Sequence, residues 1–336
     1  MDQVRWEEKN SVLSERRWAG GKAVNVFRWL NYLSLMRSSR REEALTSFPL
    51  SPSQGERAGE RGPIPPTLLI PLGGQTGIEL ARSLRSQKLK FTVVQLKEPT
   101  RVNVIITTAA ITERRSPNRR VRQLRFNPLG PKLSGNEWSS LLEAAKRLLP
   151  RASCLILSGS LPRGVPITAY AQLVRLARSA GIKTLLDCDG DALAAAVKAR
   201  PFLVKPNEHE LAQWSGQPLR SESAILRAAR DLSEATQGWV LVSRGARRSV
   251  LLHQHHAAVF FAQPPRVTPL NTVGAGDALL AAVAWQIGTG APPENWLRWG
   301  VATGTAATQC PAGHLPAYGL IARCLRQMIG SNLTAT

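Results

Sequence analysis

Helices and short apolar strands alternate through the second half of the chain, from residue 137 onward. The hydrophobic periodicity predicts a helix over residues 137–149, a strand over 154–157, a helix over 167–180 and a strand over 182–186. Strands separated by helices of this length are joined by right-handed crossovers and pair in parallel. We therefore expect an α/β domain whose mostly parallel sheet is covered by helices on both faces.

The ends of the predicted strands indicate where a ligand site would lie. In open α/β sheets, ligands bind in the crevice outside the carboxyl ends of the strands. The loops that follow the strands begin at Ser158, Asp187, Lys205 and Ser243. We expect these four loops to face one site.

The segment 271–277, Asn-Thr-Val-Gly-Ala-Gly-Asp, stands directly before a run of strong helix formers. Glycines at a helix start allow backbone amides to approach an anion, which the helix dipole also attracts, so Gly274, Ala275 and Gly276 are candidates for a phosphoryl-binding anion hole. Asp277 then lies in the first turn, where its carboxylate can accept a proton from an attacking hydroxyl. The alternative is a tight turn in which Asp277 only caps the helix.

Bulk composition narrows the function classes. A hydrophobic content of 43% is ordinary for a globular protein, and the four cysteines show no close spacing typical of a zinc or redox site. No apolar run reaches the roughly 18 residues that a membrane helix needs, and the first ten residues are charged, so we expect a cytoplasmic protein without a membrane partner. The net charge of +21 favours polyanion binding, but a general bias toward arginine explains it as well, and we do not expect a nucleic-acid partner.

The first part of the chain is less regular. A glycine turn and a helix are predicted over residues 18–33, followed by a proline-rich polar segment, 34–66, that we interpret as a disordered insertion. Strands are predicted over 91–96, 102–107 and 121–126, with an arginine-rich hairpin tip between the last two, and a further strand is predicted over 239–242.

Several of these motifs together resemble the PfkB-type, or ribokinase-like, carbohydrate kinases. The segment 271–277 resembles the signature of that family, and further segments follow in the family's order. They are 20–26 (Gly-Gly-Lys-Ala-Val-Asn-Val), 99–104, 123–126, 157–164 (Leu-Ser-Gly-Ser-Leu-Pro-Arg-Gly), 205–211 (Lys-Pro-Asn-Glu-His-Glu-Leu) and 242–247. The likeness points to the sugar-phosphate branch, with members such as 1-phosphofructokinase and tagatose-6-phosphate kinase.

The resemblance implies a ribokinase-like fold with a small β lid at about residues 99–126, and it implies ATP and Mg²⁺ as cofactors. In the family's pattern, Asp277 is the base and residues 274–276 form the anion hole. The sugar phosphate would contact Gly21, Asn25, Arg101, Arg125 and Ser160. The nucleotide side would involve Lys205, Asn207, Glu210, Ser243, Gly245 and Thr272, with Asn207 and Glu210 organising the magnesium.

The resemblance also implies that Asp187 lies near the phosphates, since the family carries an aspartate at this strand end. Simpler interpretations of some of these residues stay open. Asn207 is also a typical helix cap, Arg125 is also a typical solvated strand arginine, and Asp187 is also a typical turn carboxylate.

The chain departs from the family's pattern at three places. Ala23 and Arg248 stand where the family usually has glycine. The family's first strand, which carries a sugar-binding aspartate, has no counterpart in residues 1–17. We therefore expect residues 1–33 to be the remnant of a sugar-binding region, 67–330 to form the kinase domain and 331–336 to be a tail. A homodimer through the lid strands is a further implication, and the alternative function is an inactive or truncated relative that serves as a scaffold or binds nucleic acid.

Overall fold

A computed structural model describes residues 17–38, 65–107 and 123–328. Most of the predicted insertion, the arginine-rich hairpin tip and the tail lie outside these residues. The described helices are α1 (Lys22–Ser38), α2 (Gly74–Ser86), α3 (Gly135–Leu148), α4 (Ala169–Ser179), α5 (Gly190–Val197), α6 (Glu208–Ser215), α7 (Glu222–Thr236), α8 (Ala275–Gly288), α9 (Pro293–Thr308) and α10 (Tyr318–Gln327). The described strands are β1 (Leu68–Gly73), β2 (Phe91–Leu96), β3 (Val104–Thr107), β4 (Gln123–Phe126), β5 (Cys154–Ser158), β6 (Lys183–Asp187), β7 (Leu203–Val204), β8 (Trp239–Val242), β9 (Ser249–Leu252) and β10 (Phe260–Ala262).

The central sheet has six strands in the order β10-β9-β8-β7-β6-β5. Strands β5 to β8 pair in parallel, and the hairpin of β9 and β10 adds two antiparallel strands at one edge. The register sets Ser158 of β5 opposite Asp187 of β6. The predicted mostly parallel sheet is confirmed.

Helices cover both faces of this sheet, as predicted. Successive strand residues point to opposite faces, so Leu185 and Leu203 join one apolar cluster with α1, α8, α9 and α10, whereas Leu186 and Val204 join another with α4, α5, α6 and α7. Helix α8 is apolar around nearly its whole surface and is buried from Asp277 to Ala284. An all-apolar helix of this kind is stable only when it is surrounded by protein.

Two smaller sheets flank the central one. Strands β1 and β2 form a parallel pair, which packs with α1 and α2 in a third apolar cluster that includes Phe27, Leu68 and Leu84. Strands β3 and β4 form an antiparallel pair at the position predicted for the lid, and we call this pair the lid hairpin.

Several predicted boundaries differ from the observed ones, and two of the differences have a physical reason. Helix α1 continues to Ser38, so the insertion cannot begin at residue 34. Leu33, the last residue of the predicted helix, is buried and anchors the helix at this point. Helix α3 begins at Gly135 rather than at 137, because Ser134 and Glu137 form a capping box in which each side chain bonds the other's backbone amide. Among the described residues, no helix is long and apolar enough to cross a membrane.

Candidate active site

Asp277 lies in the first turn of α8, at the position that the sequence predicts for a base. Gly274 caps the helix with a left-handed backbone (φ 83°, ψ 0°), a conformation that glycine adopts without strain. The Asn271 side chain shapes the preceding turn, since its Oδ1 accepts from the Val273 amide at 3.0 Å. Asp277 is only 6% exposed, and Asn25 of α1 donates a hydrogen bond to its Oδ2 at 2.7 Å. The structure therefore brings together the predicted base and a predicted sugar contact.

The surroundings of Asp277 raise the pKa of its carboxyl above the usual value. Burial is the largest cause, because the charged form loses its hydration, and the nearby charge of Asp187 adds to the rise. The hydrogen bond from Asn25 and the charges of Lys205 and Lys22 act in the opposite direction. A raised pKa makes a carboxylate a stronger proton acceptor, which is the property a general base needs.

A cluster of charged side chains lies next to this carboxylate. Asp187, at the end of β6, is 1% exposed, and its Oδ1 accepts from Lys22 Nζ at 3.2 Å and lies 3.3 Å from Lys205 Nζ. The Lys205 ammonium also lies beside the candidate anion hole, because a Cβ built on Gly276 would be 3.8 Å from its Nζ. Two ammonium groups thus flank the start of α8, where they can stabilise a negatively charged ligand.

Lys22 is the site residue that the sequence reasoning left without a role. Burial acts to lower the pKa of Lys22, but the charges of Asp187 and Glu210 outweigh it and the pKa is raised. The lysine is therefore held in its charged form. Its position directly after Gly20 and Gly21, in the glycine-rich turn, was the available signal.

Asn207 and Glu210 form a capping box at the start of α6. Asn207 Oδ1 accepts from the Glu210 amide at 2.9 Å, and Glu210 Oε2 accepts from the Asn207 amide at 2.8 Å. The open alternative of helix capping is thus what the structure displays for Asn207. Glu210 Oε1 is not used in the cap and lies 3.9 Å from Lys22 Nζ, inside the charged cluster.

The described residues contain no group of three or more His, Cys, Asp or Glu side chains suited to hold a metal ion by themselves. Mg²⁺ is commonly held by one or two carboxylates together with waters and substrate phosphates. The carboxylates of Glu210 and Asp187, in the charged cluster beside the candidate anion hole, fit that mode of binding.

On the side predicted for the sugar, two of the predicted contacts meet in the loop after β5. Arg101 Nη2 donates to Ser160 Oγ at 3.5 Å, and the Gly159 amide donates to the Asp187 carbonyl at 2.9 Å, which ties this loop to the charged cluster. Gly21 has φ 106° and its carbonyl accepts from the Asn25 amide, so it fixes the start of α1. Arg125 lies in β4 of the lid hairpin, opposite Ile105.

On the side predicted for the nucleotide, the Ser243 amide donates to the Pro206 carbonyl at 3.0 Å. This bond joins the loop after β8 to the start of α6. Gly245 has φ 59° within the same turn. Thr272 is exposed just before α8, and its carbonyl accepts from the Ala275 amide at 3.4 Å. The four loops predicted to face one site are therefore linked, through Ser158, Asp187, Lys205 and Ser243.

Comparison with curated proteins gives relatives along most of the chain. The chain is 30% identical over 235 residues to 1-phosphofructokinase of Bacillus subtilis, which covers 70% of this chain and 73% of the relative. It is 31% identical over 244 residues to the ATP-dependent 6-phosphofructokinase isozyme 2 of Escherichia coli, which covers 72% of this chain and 75% of the relative.

Comparison with solved structures supports the same relationship. Phosphofructokinase-2 of E. coli in complex with fructose-6-phosphate superposes with a TM-score of 0.76 at 25% identity, covering 97% of this chain and 93% of that one. The ribokinase of Arabidopsis thaliana superposes with a TM-score of 0.66 at 17% identity, covering 96% and 92%, and this likeness shows the fold to be ribokinase-like. Residues 2–317 match the family described as pfkB family carbohydrate kinase. The chain therefore belongs to the pfkB family of carbohydrate kinases.

Proposed function

We propose that the protein transfers the γ-phosphoryl group of MgATP to a hydroxyl of a hexose phosphate, with Asp277 as the general base. One observation carries the proposal: Asp277 is buried, has a raised pKa, and lies in the first turn of α8 beside the amides of residues 274–276 and the ammonium of Lys205. A proton acceptor next to an anion site is the arrangement that phosphoryl transfer to an alcohol requires.

In the proposed reaction, the acceptor oxygen attacks the γ-phosphorus in line with the bond to the β-γ bridging oxygen. That bond breaks, ADP departs with its electron pair, and the hydroxyl proton passes to Asp277 Oδ. Negative charge that develops on the transferred group is stabilised by the amides at the start of α8 and by Lys22 and Lys205. Mg²⁺, held near Glu210 and Asp187, would neutralise charge on the nucleotide phosphates.

The acceptor class is inferred from the arginines and from the relatives. The relatives are named phosphofructokinases, and Arg101 lies beside Ser160, a residue that we assign to the sugar phosphate. A guanidinium binds a phosphate through two parallel hydrogen bonds, so Arg101 and Arg125 favour a phosphorylated hexose over a neutral one. We propose fructose 1-phosphate, fructose 6-phosphate or tagatose 6-phosphate as the acceptor.

The test is a coupled assay of ADP release with each of the three sugar phosphates, with free fructose as the control acceptor. We expect ADP release with at least one sugar phosphate and none above background with fructose. Asp277→Asn should lower kcat by about a thousandfold or more. Because the folded-state pKa of Asp277 is raised, its charged form costs stability above that pKa, so the variant should unfold at the same or a higher temperature at neutral pH. Full activity of the variant would contradict the assigned role.

The net charge of +21 favours a second candidate, an inactive relative that binds polyanions. Binding of this kind weakens steeply with salt. A DNA-binding titration at two salt concentrations, run beside the ADP assay, separates the candidates: salt-dependent binding without sugar-stimulated ADP release would favour the second.

A further inference from the structure

The turn between β8 and β9, residues 243–248, holds a buried arginine. The Arg244 side chain is only 6% exposed. Its Nε donates to Glu208 of α6 at 2.6 Å, and its Nη1 donates to Glu222 of α7 at 3.1 Å and to the Arg248 carbonyl at 3.2 Å. One guanidinium thus joins two helices and closes its own turn.

Two outer arginines extend this contact into a row of alternating charge. Arg247 donates to Glu208, and Arg248 donates to Glu222. The order is Arg247, Glu208, Arg244, Glu222, Arg248, so each carboxylate is shared between the buried guanidinium and an outer one. The outer side chains are far more exposed, at 66% for Arg247 and 44% for Arg248. Exposed pairs contribute little energy because solvent screens them, so the directional bonds of Arg244 define the geometry.

The row connects directly to the proposed active site. Glu208 is the first residue of α6 and follows Asn207, whose segment bonds Ser243 across an isolated parallel bridge. Lys205 and Glu210, on either side of Asn207, both belong to the charged cluster around Asp187. A change in the position of the turn would therefore shift the segment that carries Lys205 and Glu210.

A buried ion pair of this kind is a poor source of stability, because desolvation offsets most of the attraction between the charges. Its best-attested physical use is to fix one arrangement of the elements that it joins. When the turn is already ordered, less of its conformational entropy is lost as a ligand binds.

We propose that Arg244 is a positioning residue for the nucleotide: it holds the turn 243–248 against the start of α6, so that the turn is already ordered when the nucleotide phosphates arrive. The proposal rests on the proposed function for its kinetic readout. It does not rest on that function for the ordering of the turn itself.

The test compares Arg244→Met with Arg227→Met. Methionine fills a similar volume without charge, and Arg227 is an exposed arginine on α7, so the control makes the same chemical change on the helix that carries Glu222. We expect Arg244→Met to fold, to raise the KM for ATP and the dissociation constant of MgADP by about tenfold, and to leave the KM for the sugar phosphate within about twofold. Arg227→Met should match the wild type in all three quantities.

Amide hydrogen exchange supplies a readout that does not depend on activity. In Arg244→Met, the amides of residues 243–248 should exchange at least about tenfold faster than in the wild type, while those of β6 should not change. Unchanged exchange in the turn would overturn the proposal, whether or not the protein is active. A wild type that releases no ADP with any sugar phosphate would instead count against the proposed function alone.

Arg247→Gln separates position from charge. This variant removes one exposed positive charge from the turn and keeps the bonds of Arg244. We expect it to weaken MgADP binding less than Arg244→Met does. If the two variants weaken binding equally, the charge of the turn governs affinity and the positioning role is wrong.

Discussion

Asn25 and Asp277 are 252 positions apart in the chain, yet they share a short hydrogen bond of 2.7 Å. The bond stabilises the charged carboxylate and so partly offsets the rise in the pKa of Asp277 that burial causes. The two effects together set the pH range in which the carboxylate is both ionised and basic.

Asn25→Ala should therefore raise the pKa of Asp277 further. A base works only when ionised, so the acidic limb of the kcat profile should move to higher pH. A hydrogen bond to a charged group contributes about 1.5 kcal/mol, which corresponds to about a tenfold loss of kcat on that limb. The measurement is kcat at saturating sugar phosphate from acidic to neutral pH. An unchanged limb would show that Asp277 is not the group that titrates.

The Asp187 carboxylate compensates the positive charges of two neighbouring lysines. This buried carboxylate contacts both Lys22 and Lys205, and the Lys205 side chain is only 5% exposed. Asp187→Asn would leave that ammonium buried without its carboxylate, so the free energy of unfolding should fall by about 3 kcal/mol. Urea denaturation measures this change. The control is Glu143→Gln, which removes an exposed pair with Lys146 and should leave the midpoint unchanged; an equal response of the two variants would contradict the argument.

At the scale of elements, the position of α8 depends on its close contact with α9. Gly304 of α9 lies against the first turn of α8, since a Cβ at this position would be 3.0 Å from the Ala275 carbonyl oxygen and 3.4 Å from Leu279 Cβ. Ala275 belongs to the candidate anion hole. The absence of a side chain on Gly304 thus allows α9 to support the part of α8 that contains the candidate anion hole.

Gly304→Val should push the two helices apart. Overpacking of this kind costs about 1–3 kcal/mol, and the shift at Ala275 should also lower kcat. The matched control is Gly288→Val at the exposed end of α8, where a Cβ would meet nothing within 4 Å and stability should change by less than about 0.5 kcal/mol. Thermal unfolding and the ADP assay, applied to both variants, check the prediction. If Gly304→Val is as stable and as active as the control, the close contact between α8 and α9 is not needed for stability or activity.

The sequence predicts elements well where one periodicity dominates. The strands Phe91–Leu96 and Trp239–Val242 have the predicted bounds, because apolar residues continue to the strand ends. The end of α1 is wrong by five residues, because 34–38 combines serine and arginine with apolar residues and is followed by the proline-rich segment.

Within the site, Asp277 and Asn25 follow from local motifs, but the pairing of Lys22 with Asp187 does not. These two residues are 165 positions apart, and only the fold places them together. The same reason hides the contacts of Arg244 with Glu208 and Glu222. Motifs identify residues with a local backbone role, whereas charge pairing over long distances is a property of the tertiary structure.

At the scale of the whole molecule, the lid hairpin leaves apolar side chains in solvent. Val104 of β3 and Phe126 of β4 are each 48% exposed, and Val102 and Leu129 beside them are 56% and 77% exposed. A two-stranded hairpin is marginally stable in water unless further protein covers its apolar face. A second copy of the chain, packed through the same hairpin, would provide that cover with twofold symmetry.

We therefore expect light scattering to give a mass about twice the 36.6 kDa of the chain. Phe126→Glu places a charge in the apolar surface that the partner would cover, so this variant should have the mass of a single chain at the same concentration. Ile167→Glu is the control, because Ile167 is also half exposed but lies outside the lid hairpin, just before α4. If the wild type scatters as a monomer, or if Phe126→Glu keeps the doubled mass, the hairpin is not the dimer interface. A monomeric variant that also loses sugar-phosphate affinity would further indicate that pairing orders the lid hairpin, which carries Arg125, over the site.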